Sequence, residues 1–258
     1  MTDVIFARPR YDYPSYGDLW NLIRLSDYPL VYLDEIDPDS DRCYIFSTPT
    51  TEWERGWDNP RARIIYWALE WYLDKDYLNV PGVELWSADA WYAERIGARY
   101  VPLGSHPELR LTPDEAEPVY DTILLAGDSG NRHLARRLLH DARVTTAPDG
   151  WGEARDLALR QSKTLTNVHQ WAHVQVAAPQ RFALAAAYRK PLFTETLRKP
   201  GIFTHTYVFQ FAMSYMADFL AMWTHRRENQ QRLKDMGEAL YDLLCARNTF
   251  RSVIEREL

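Results

Sequence analysis

The stretch "SKTLTNVHQWAHVQVAAPQRFALAAAYRKPLFTE" (residues 162–195) decides the fold of the second half of this chain. Two short runs that are typical of strands, 163–170 and 191–197, enclose an alanine-rich segment, 179–190, that is typical of a helix. A strand, a helix and a second strand in this order form the repeating unit of a parallel sheet. The segment therefore predicts parallel α/β structure.

The same alternation continues upstream of this stretch. Residues 120–126 and 142–148 are typical of strands, and residues 132–141 and 153–162 are typical of helices. Together these segments predict a Rossmann-like lobe. From about residue 205 to the end the sequence is helical and amphipathic, and its most apolar tract, 207–223, predicts one buried helix.

The first half is α/β as well, with shorter helices. Its predicted strands are 3–8, 29–36, 42–49, 62–69, 83–88 and 98–104, and its best connecting helices are 16–27 and 89–97. A proline- and acid-rich segment, 106–118, separates the halves and is typical of a linker. We therefore expect two lobes, residues 1–115 and residues 116–258.

The composition limits the classes of protein to consider. A net charge of −6 counts against a dedicated nucleic-acid-binding module, which is normally basic. The two cysteines, Cys43 and Cys245, lack metal-ligand spacing and suit a reducing compartment. The N-terminus lacks the apolar run of a signal peptide, and the tract 207–223 is too short to span a bilayer comfortably. We expect a cytoplasmic protein with no membrane span.

Candidate ligand-binding residues follow the predicted strands of the second lobe, because ligands of open α/β sheets bind beyond the carboxyl ends of the strands. The loop "GDSGN" (127–131) has glycines that let backbone N–H groups approach an anion, although a plain tight turn explains them equally well. Trp151, between two glycines, either stacks on a flat ligand or covers the core. His169 ends the third strand and is either structural or part of a site.

Arg181 and Glu195 carry more information. Arg181 is predicted to lie in the first turn of a helix, where a cation opposes the helix macrodipole. An anion bound there would be stabilised by both the helix N-terminus and the arginine. A carboxylate beyond a Rossmann-like strand accepts the hydroxyls of a ribose. The alternatives are a surface arginine and a salt bridge from Glu195 to Lys190 or Arg198. With Ser129 and Gly130, these residues would fit a nucleoside diphosphate.

Several segments resemble a known family. "YDTILLAGDSGNRHLARRLL" (120–139), "GWGEARD" (150–156), "SKTLTNVHQW" (162–171) and "APQRFALAAAYRKPLFTE" (178–195) resemble the C-terminal lobe of GT-B glycosyltransferases. The resemblance is to the spore-maturation-protein-like and phage-encoded family in particular. "WSADAWYAERIGARYVPLGSHPEL" (86–109) resembles the end of that family's N-terminal lobe. The resemblance covers roughly residues 83–225.

This resemblance implies two Rossmann-like lobes of GT-B type with a helical C-terminal region. It implies an acceptor-side first lobe and a second lobe that binds a nucleotide-sugar donor, most simply a UDP-sugar, without a metal or other cofactor. The donor-binding residues it implies are Gly127, Ser129, Gly130, Lys163, His169, Arg181 and Glu195, to which the sequence reasoning above adds Trp151. Many relatives carry a glutamate two residues after the arginine, where this chain has Ala183.

A reaction that inverts the anomeric carbon requires a base from the first lobe, whereas retention requires none. Candidates that close predicted strands are Asp34, Glu35, Glu52, Glu70 and His106, and we rank Glu70, Asp34 and His106 first. For each one alone, a structural role is the simpler explanation. The alternating acids of "DPDSD" (37–41) are typical of a solvated loop, and we expect no metal site.

The sequence thus predicts a glycosyltransferase that moves a sugar from a nucleoside diphosphate to an acceptor hydroxyl. The acceptor is either a hydroxymethylated base of phage DNA or a cell-surface or small-molecule hydroxyl. DNA modification would need arginines at the cleft mouth, and the early group is Arg8, Arg10, Arg61 and Arg63. A non-catalytic nucleotide-sugar-binding protein is the alternative. An epimerase or dehydrogenase would carry a glycine fingerprint, which "VIFARPRYDYP" (4–14) lacks. The oligomeric state is left open.

Overall fold

Two parallel β-sheets organise the chain. The computed structural model describes residues 3–11, 17–47, 57, 59–69, 78, 80–112, 116–125, 129–148, 150–170 and 175–258. All named strands of the first sheet lie between residues 4 and 100, and all named strands of the second lie between residues 120 and 211.

The first sheet has six strands in the order β2-β1-β3-β4-β5-β6, and every pairing is parallel. Its strands are β1 Val4–Arg8, β2 Leu30–Tyr32, β3 Cys43–Phe46, β4 Arg63–Ala68, β5 Val83–Ser87 and β6 Arg99–Tyr100. The apolar runs of β3 and β4 are almost wholly buried, as expected of central parallel strands covered on both faces. Helices α1 (Gly17–Leu25) and α2 (Ala90–Ile96) belong to this lobe.

The second sheet has four parallel strands in the order β10-β9-β8-β7. Its strands are β7 Tyr120–Leu124, β8 Ser162–Asn167, β9 Leu192–Glu195 and β10 Val208–Phe211. The helices of this half are α3 Gly130–Asp141, α4 Glu153–Arg160, α5 Pro179–Ala187, α6 Met213–His225, α7 Gln230–Tyr241 and α8 Phe250–Glu257. A π-helical turn, Asp242–Arg247, joins α7 to α8.

The structure corrects two predicted elements of this half. Residues 142–148 do not form a strand of the second sheet. Thr146 makes one parallel bridge to Thr122, and Arg143 adopts a left-handed φ of 58° that interrupts extended pairing. Residues 207–223 are not one helix, because the segment first pairs with β9 as β10. Extended backbone at Ala212 then ends the strand and begins α6.

Other predicted elements are present but shorter. In the first sheet β2 ends at Tyr32, followed by a 3-10 turn, Leu33–Glu35, and β6 keeps two residues. In the second half α5 ends at Ala187, and Arg189 has a φ of 52° that breaks the helix.

The last helix returns to the first lobe. The ring of Phe250 lies 5.5 Å from that of Phe6 and 5.9 Å from that of Trp67, centroid to centroid. Arg99 forms an ion pair with Glu257 at 2.6 Å. Helix α8 therefore covers the first sheet although it follows the second in sequence, and the division at residue 115 stays a prediction.

Gly104, in the segment "VPLG", lies where the end of the first lobe meets this returning chain. A Cβ atom at Gly104 would lie 2.3 Å from the carbonyl oxygen of Asn248 and 2.6 Å from the nitrogen of Phe250. Ser105 forms a parallel bridge with Thr249 and its hydroxyl donates to the carbonyl of Ala183 in α5 (2.8 Å). A close backbone approach therefore requires glycine at this position.

Within the described part of the chain, no helix combines the length and the apolar character needed to cross a bilayer.

We predict that Gly104→Ala lowers the free energy of unfolding by about 2 kcal/mol or more, because backbone atoms must move to admit the methyl group. Urea denaturation followed by circular dichroism measures this change. The control is Gly17→Ala, since a Cβ atom at Gly17 meets nothing within 4 Å. Equal stability of both variants would contradict the close approach.

Candidate functional site

The candidate site lies at the carboxyl edge of the second sheet, where β7, β8 and β9 end and helices α3 and α5 begin. Ser129 caps α3, because its hydroxyl oxygen accepts the backbone N–H of Arg132 (3.4 Å). Pro179 opens α5, and Arg181 lies in its first turn. Two helix N-termini, each with a partial positive charge, therefore meet at this edge.

Arg181 is held over the end of β8. Its Nη1 donates to Oδ1 of Asn167 (2.6 Å) and to the carbonyl oxygen of Val168 (3.3 Å). Asn167 is fully buried and its own amide donates to the hydroxyl of Thr194 in β9 (2.9 Å). The guanidinium is thus oriented by a buried amide that itself joins two strands.

Glu195 connects three elements of the site. Its Oε2 accepts the backbone N–H of His169 (2.6 Å) and the side-chain amide of Asn131 (3.3 Å). The same Asn131 amide donates to the carbonyl oxygen of His169 (2.9 Å). Only 8% of Glu195 is exposed, and this burial raises the pKa of its carboxyl group against the opposing effect of these hydrogen bonds and of Arg132.

His169 is neutral at pH 7. Its Nδ1 lies 3.4 Å from Oε2 of Glu195, which would favour the charged form. Burial, with the positive charges of Arg181 and Arg132, outweighs a backbone hydrogen bond with Val176 and lowers the pKa of His169 to about 4. Its Nε2 is buried and has no hydrogen-bond partner among the described residues.

Arg132 adds a second guanidinium. It lies in the first turn of α3, is 8% exposed, and its charge lowers the pKa of both His169 and Glu195. Among the described residues, two arginines and two helix N-termini thus lie near the carboxylate of Glu195. The arrangement favours a ligand with negative charge.

The structure brings together five of the predicted donor-binding residues: Ser129, Gly130, His169, Arg181 and Glu195. Their binding role stays a prediction. Gly127 lies outside the described residues. The same edge holds three residues that were not predicted from the sequence to bind the donor: Asn131, Arg132 and Asn167. Asn131 ends the quoted "GDSGN" loop, and Asn167 precedes His169 by two residues at the end of β8. Their positions could have identified them, because polar residues at the end of a strand or in the first turn of a helix lie at the ligand-binding edge of such a sheet.

Lys163 lies at the opposite edge of the sheet. It is the second residue of β8, and its Nζ donates to Oδ1 of Asp121 (2.9 Å) and to the carbonyl oxygen of Thr224 (3.2 Å). The four residues from Lys163 to Asn167 span about 13 Å of extended strand, so Lys163 lies at the amino edge of the sheet and Asn167 at the carboxyl edge. The structure does not bring Lys163 to the site.

Trp151 is 61% exposed at the start of α4. The guanidinium of Arg155 lies 5.4 Å from its ring centre. Arg155 also forms a two-point ion pair with Asp18 in the first turn of α1, with one contact of 2.8 Å. Trp151 therefore stands beside a contact between the two lobes, with its ring available to a ligand.

Asp89 joins the lobes at a second point. It was not predicted from the sequence as a site residue. Its Oδ1 caps α2 through the N–H of Tyr92, and its Oδ2 accepts the N–H of Ala177, both at 2.7 Å. Burial raises the pKa of this carboxyl group. Asp89 follows β5 and so fixes the segment that enters α5 from the carboxyl side of the first sheet.

The predicted bases of the first lobe occupy separate positions. Asp34 follows β2 and binds Nε of Arg10 (2.9 Å), with half of its side chain exposed. The side chain of Glu35 accepts the N–H of Tyr32 (2.8 Å). Nδ1 of His106 accepts the N–H of Glu108 (3.1 Å). Glu52 and Glu70 lie outside the described residues.

The early arginines do not form one group. Arg8 ends β1 and Arg10 follows it, at the carboxyl edge of the first sheet. Arg61 and Arg63 lie at the amino end of β4, where Arg61 pairs with Asp41 and Arg63 with Glu84. Only the first two can border a cleft at the carboxyl edges.

The acidic turn 37–41 is closed by its own hydrogen bonds. Oδ1 of Asp37 accepts the N–H of Asp39 (3.1 Å) and the carbonyl of Asp37 accepts the hydroxyl of Ser40 (2.8 Å). Among the residues with described positions, no three His, Cys, Asp or Glu side chains are grouped so that they could hold a metal ion.

Comparison with solved structures identifies the fold. The chain is similar to AviGT4, a glycosyltransferase involved in avilamycin A biosynthesis, with a TM-score of 0.60 and 11% identity over 100% of this chain and 96% of that one. It is similar to the DNA-modifying enzyme β-glucosyltransferase, with a TM-score of 0.59 and 7% identity over 99% of both chains. It is also similar to TarM, with a TM-score of 0.56 and 9% identity over 87% of this chain.

The likeness to TarM covers 55% of that protein, so this chain spans about half its length. At such low identities the likenesses establish the fold alone, which is the α/β architecture of GT-B type that the sequence predicts. No protein-family model and no curated protein matches the sequence.

We predict that His169 makes stability fall as the pH is lowered from 6.5 to about 4. In this window the unfolded chain binds a proton at His169 and the folded chain does not, which costs up to about 3 kcal/mol at the acid end. The raised pKa of Glu195 opposes part of this slope. Urea denaturation at several pH values should show a smaller slope for His169→Gln.

The matched control is His140→Gln, since 90% of the His140 side chain is exposed. Its pH profile should follow that of the unmodified chain. A His169→Gln profile that is also unchanged would show that the ring is not kept neutral by burial.

Proposed function

We propose that this chain is a glycosyltransferase that moves a sugar from a nucleoside-diphosphate sugar to an acceptor hydroxyl. The observation that carries the proposal is the meeting of Arg132, Arg181 and Glu195 at the carboxyl edge of the second sheet. Two of the structural neighbours are named as glycosyltransferases, and one of them is described with uridine diphosphoglucose as its substrate.

The two arginines would bind the diphosphate. Each stands in the first turn of a helix, where the helix dipole adds to the charge of the guanidinium. A diphosphate gains negative charge when its bond to the sugar breaks, and fixed positive groups at that point stabilise the departing anion. This leaves the reaction independent of a metal, as the resemblance implies.

Glu195 would bind the ribose. The hydrogen bonds from His169 and Asn131 both go to Oε2, so Oε1 can accept a ribose hydroxyl. Ser129 and the N-terminus of α3 lie beside the same point, and Trp151 offers an exposed aromatic face. A UDP-sugar is the donor we propose.

The acceptor we propose first is a hydroxymethylated base in phage DNA, as the phage-encoded family that the sequence resembles implies. Similarity to a DNA-modifying enzyme supports this choice, and Arg8 and Arg10 at the carboxyl edge of the first sheet could meet phosphates. The net charge of −6 weighs against it. A small-molecule acceptor is the second candidate, supported by the similarity to AviGT4. In either case we propose action in the cytoplasm.

We predict that UDP or a UDP-sugar raises the melting temperature of the chain by about 5 °C at about a hundred times Kd. Arg181→Ala should weaken binding about ten- to a hundredfold, because a charge-assisted pair of hydrogen bonds is lost, and most of the shift should vanish. Differential scanning fluorimetry with a panel of nucleotide sugars tests this.

Arg137→Ala is the matched control, since Arg137 is exposed on α3 and lies outside the site. It should keep the full shift. The proposal fails if no nucleotide or nucleotide sugar stabilises the unmodified chain. Stabilisation without diphosphate release in the presence of any acceptor would favour the non-catalytic alternative.

For an inverting reaction we predict that Glu70→Gln lowers the rate of sugar transfer by about 10²- to 10⁴-fold with donor affinity unchanged, since a general base contributes this much. Glu70 follows central strand β4, whereas Asp34 is bound by Arg10 and His106 caps a turn. Diphosphate release measured for Glu70→Gln, Asp34→Asn and His106→Gln ranks the three. Equal and small effects would mean that no base from this set acts, as retention requires.

A further inference from the structure

One nitrogen atom of the His169 ring is buried at the candidate site without a hydrogen bond. His169 is the second residue after β8, which ends at Asn167, and only 5% of it is exposed. Its Nε2 is shielded from solvent, and no residue in the described part of the chain pairs with it. Buried polar atoms are nearly always paired, and an exception requires an explanation such as a bound ligand or water.

The other nitrogen atom of the ring determines what Nε2 can do. A hydrogen bond between the ring and the backbone of Val176 acts to raise the pKa of His169, as a bond from a ring N–H to a carbonyl oxygen does. Since Nε2 has no such partner, Nδ1 makes this bond, and Nδ1 also lies 3.4 Å from Oε2 of Glu195. Both neighbours accept hydrogen bonds, so Nδ1 carries the proton. In the neutral ring Nε2 is then an acceptor only.

The ring lies among the groups proposed to hold the donor. Glu195, the proposed ribose ligand, is on the Nδ1 side. The positive charges of Arg181 and Arg132 both act on the ring. Arg181 also donates to the carbonyl oxygen of Val168, directly before His169 (3.3 Å). In a nucleoside-diphosphate sugar the ribose and the transferred sugar flank the diphosphate, so their hydroxyls come nearest to such a ring.

The lone pair of Nε2 selects among the groups of such a ligand. The diphosphate oxygens of a nucleotide sugar carry no proton at neutral pH and have nothing to donate to an acceptor. A hydroxyl group can donate one hydrogen bond and still accept others. A carbonyl or carboxylate oxygen at the same place would meet the lone pair with its own. Nε2 therefore matches a hydroxyl, whereas the guanidinium groups match phosphate.

We propose that Nε2 of His169 accepts a hydrogen bond from a hydroxyl group of the nucleotide-sugar donor, and that the site selects donors which carry this hydroxyl. This role rests on the proposed function. The hydroxyl belongs to the ribose or to the transferred sugar, which offer the same chemistry. A donor without it would leave the buried acceptor unpaired, and sites built to pair a hydroxyl discriminate on this basis.

The first test is the position of the ring proton in the unmodified full chain. Nitrogen-15 NMR of the histidine rings should show His169 with its proton on Nδ1 at neutral pH. Loss of the signal in His169→Gln assigns it. A proton on Nε2 would overturn the proposal, because that atom would then donate and would suit a phosphate oxygen.

The second test couples the residue to the hydroxyl. Isothermal titration should show that the unmodified chain binds UDP-glucose about tenfold or more tightly than one of its singly deoxygenated analogues. His169→Phe, which keeps a flat ring but has no acceptor, should bind both ligands equally. His169→Gln, whose amide oxygen can accept, should keep part of the discrimination. The control His140→Phe should keep all of it, since 90% of the His140 side chain is exposed.

The analogue that loses affinity identifies the source of the hydroxyl. A 2′-deoxyribose analogue would assign it to the ribose, and a deoxyglucose analogue to the transferred sugar. A structural role for His169 predicts that His169→Phe weakens every ligand by the same factor, and that result would overturn the proposal alone. Failure of every nucleotide sugar to bind the unmodified chain would overturn the proposed function as well. If His169→Phe does not fold, as melting temperatures would show, the tautomer and His169→Gln decide.

Discussion

The buried carboxylate of Glu195 is the interaction on which the candidate site depends. A carboxylate removed from water must be satisfied by hydrogen bonds, and Oε2 receives the N–H of His169 and the amide of Asn131. Through these bonds the end of β9 fixes the end of β8 and the first turn of α3. The same burial that raises the pKa of Glu195 lowers that of His169, so the two groups share little charge.

Contacts between the lobes set where this site faces. Asp89, at the end of β5, holds the segment before α5, and Asp18, at the start of α1, pairs with Arg155 of α4. Both contacts join the carboxyl edge of the first sheet to helices of the second lobe. On another part of the chain, α8 returns to pack Phe250 against Phe6. The two lobes are thus joined by contacts at several separate points.

The polarity of α5 explains why its two ends suit different surroundings. At its N-terminus the exposed N–H groups and Arg181 favour an anion, and the buried Asn167 orients the arginine. At its C-terminus the carbonyl groups favour cations, and the chain supplies Arg189 and Lys190.

The sequence alone determined the α/β class, most strands and the position of Arg181 and Glu195 at strand and helix ends, because hydrophobic runs and helix termini are local properties. It misplaced the tract 207–223, since apolar composition does not separate a buried strand from a buried helix, and pairing with β9 decided between them. It also grouped Lys163 with the donor site and Arg61 with Arg8, although the members of each group lie at opposite edges of their sheet. Only the tertiary structure could assign the partners Asn131, Asn167 and Asp89, because their hydrogen bonds join segments that lie far apart in the chain.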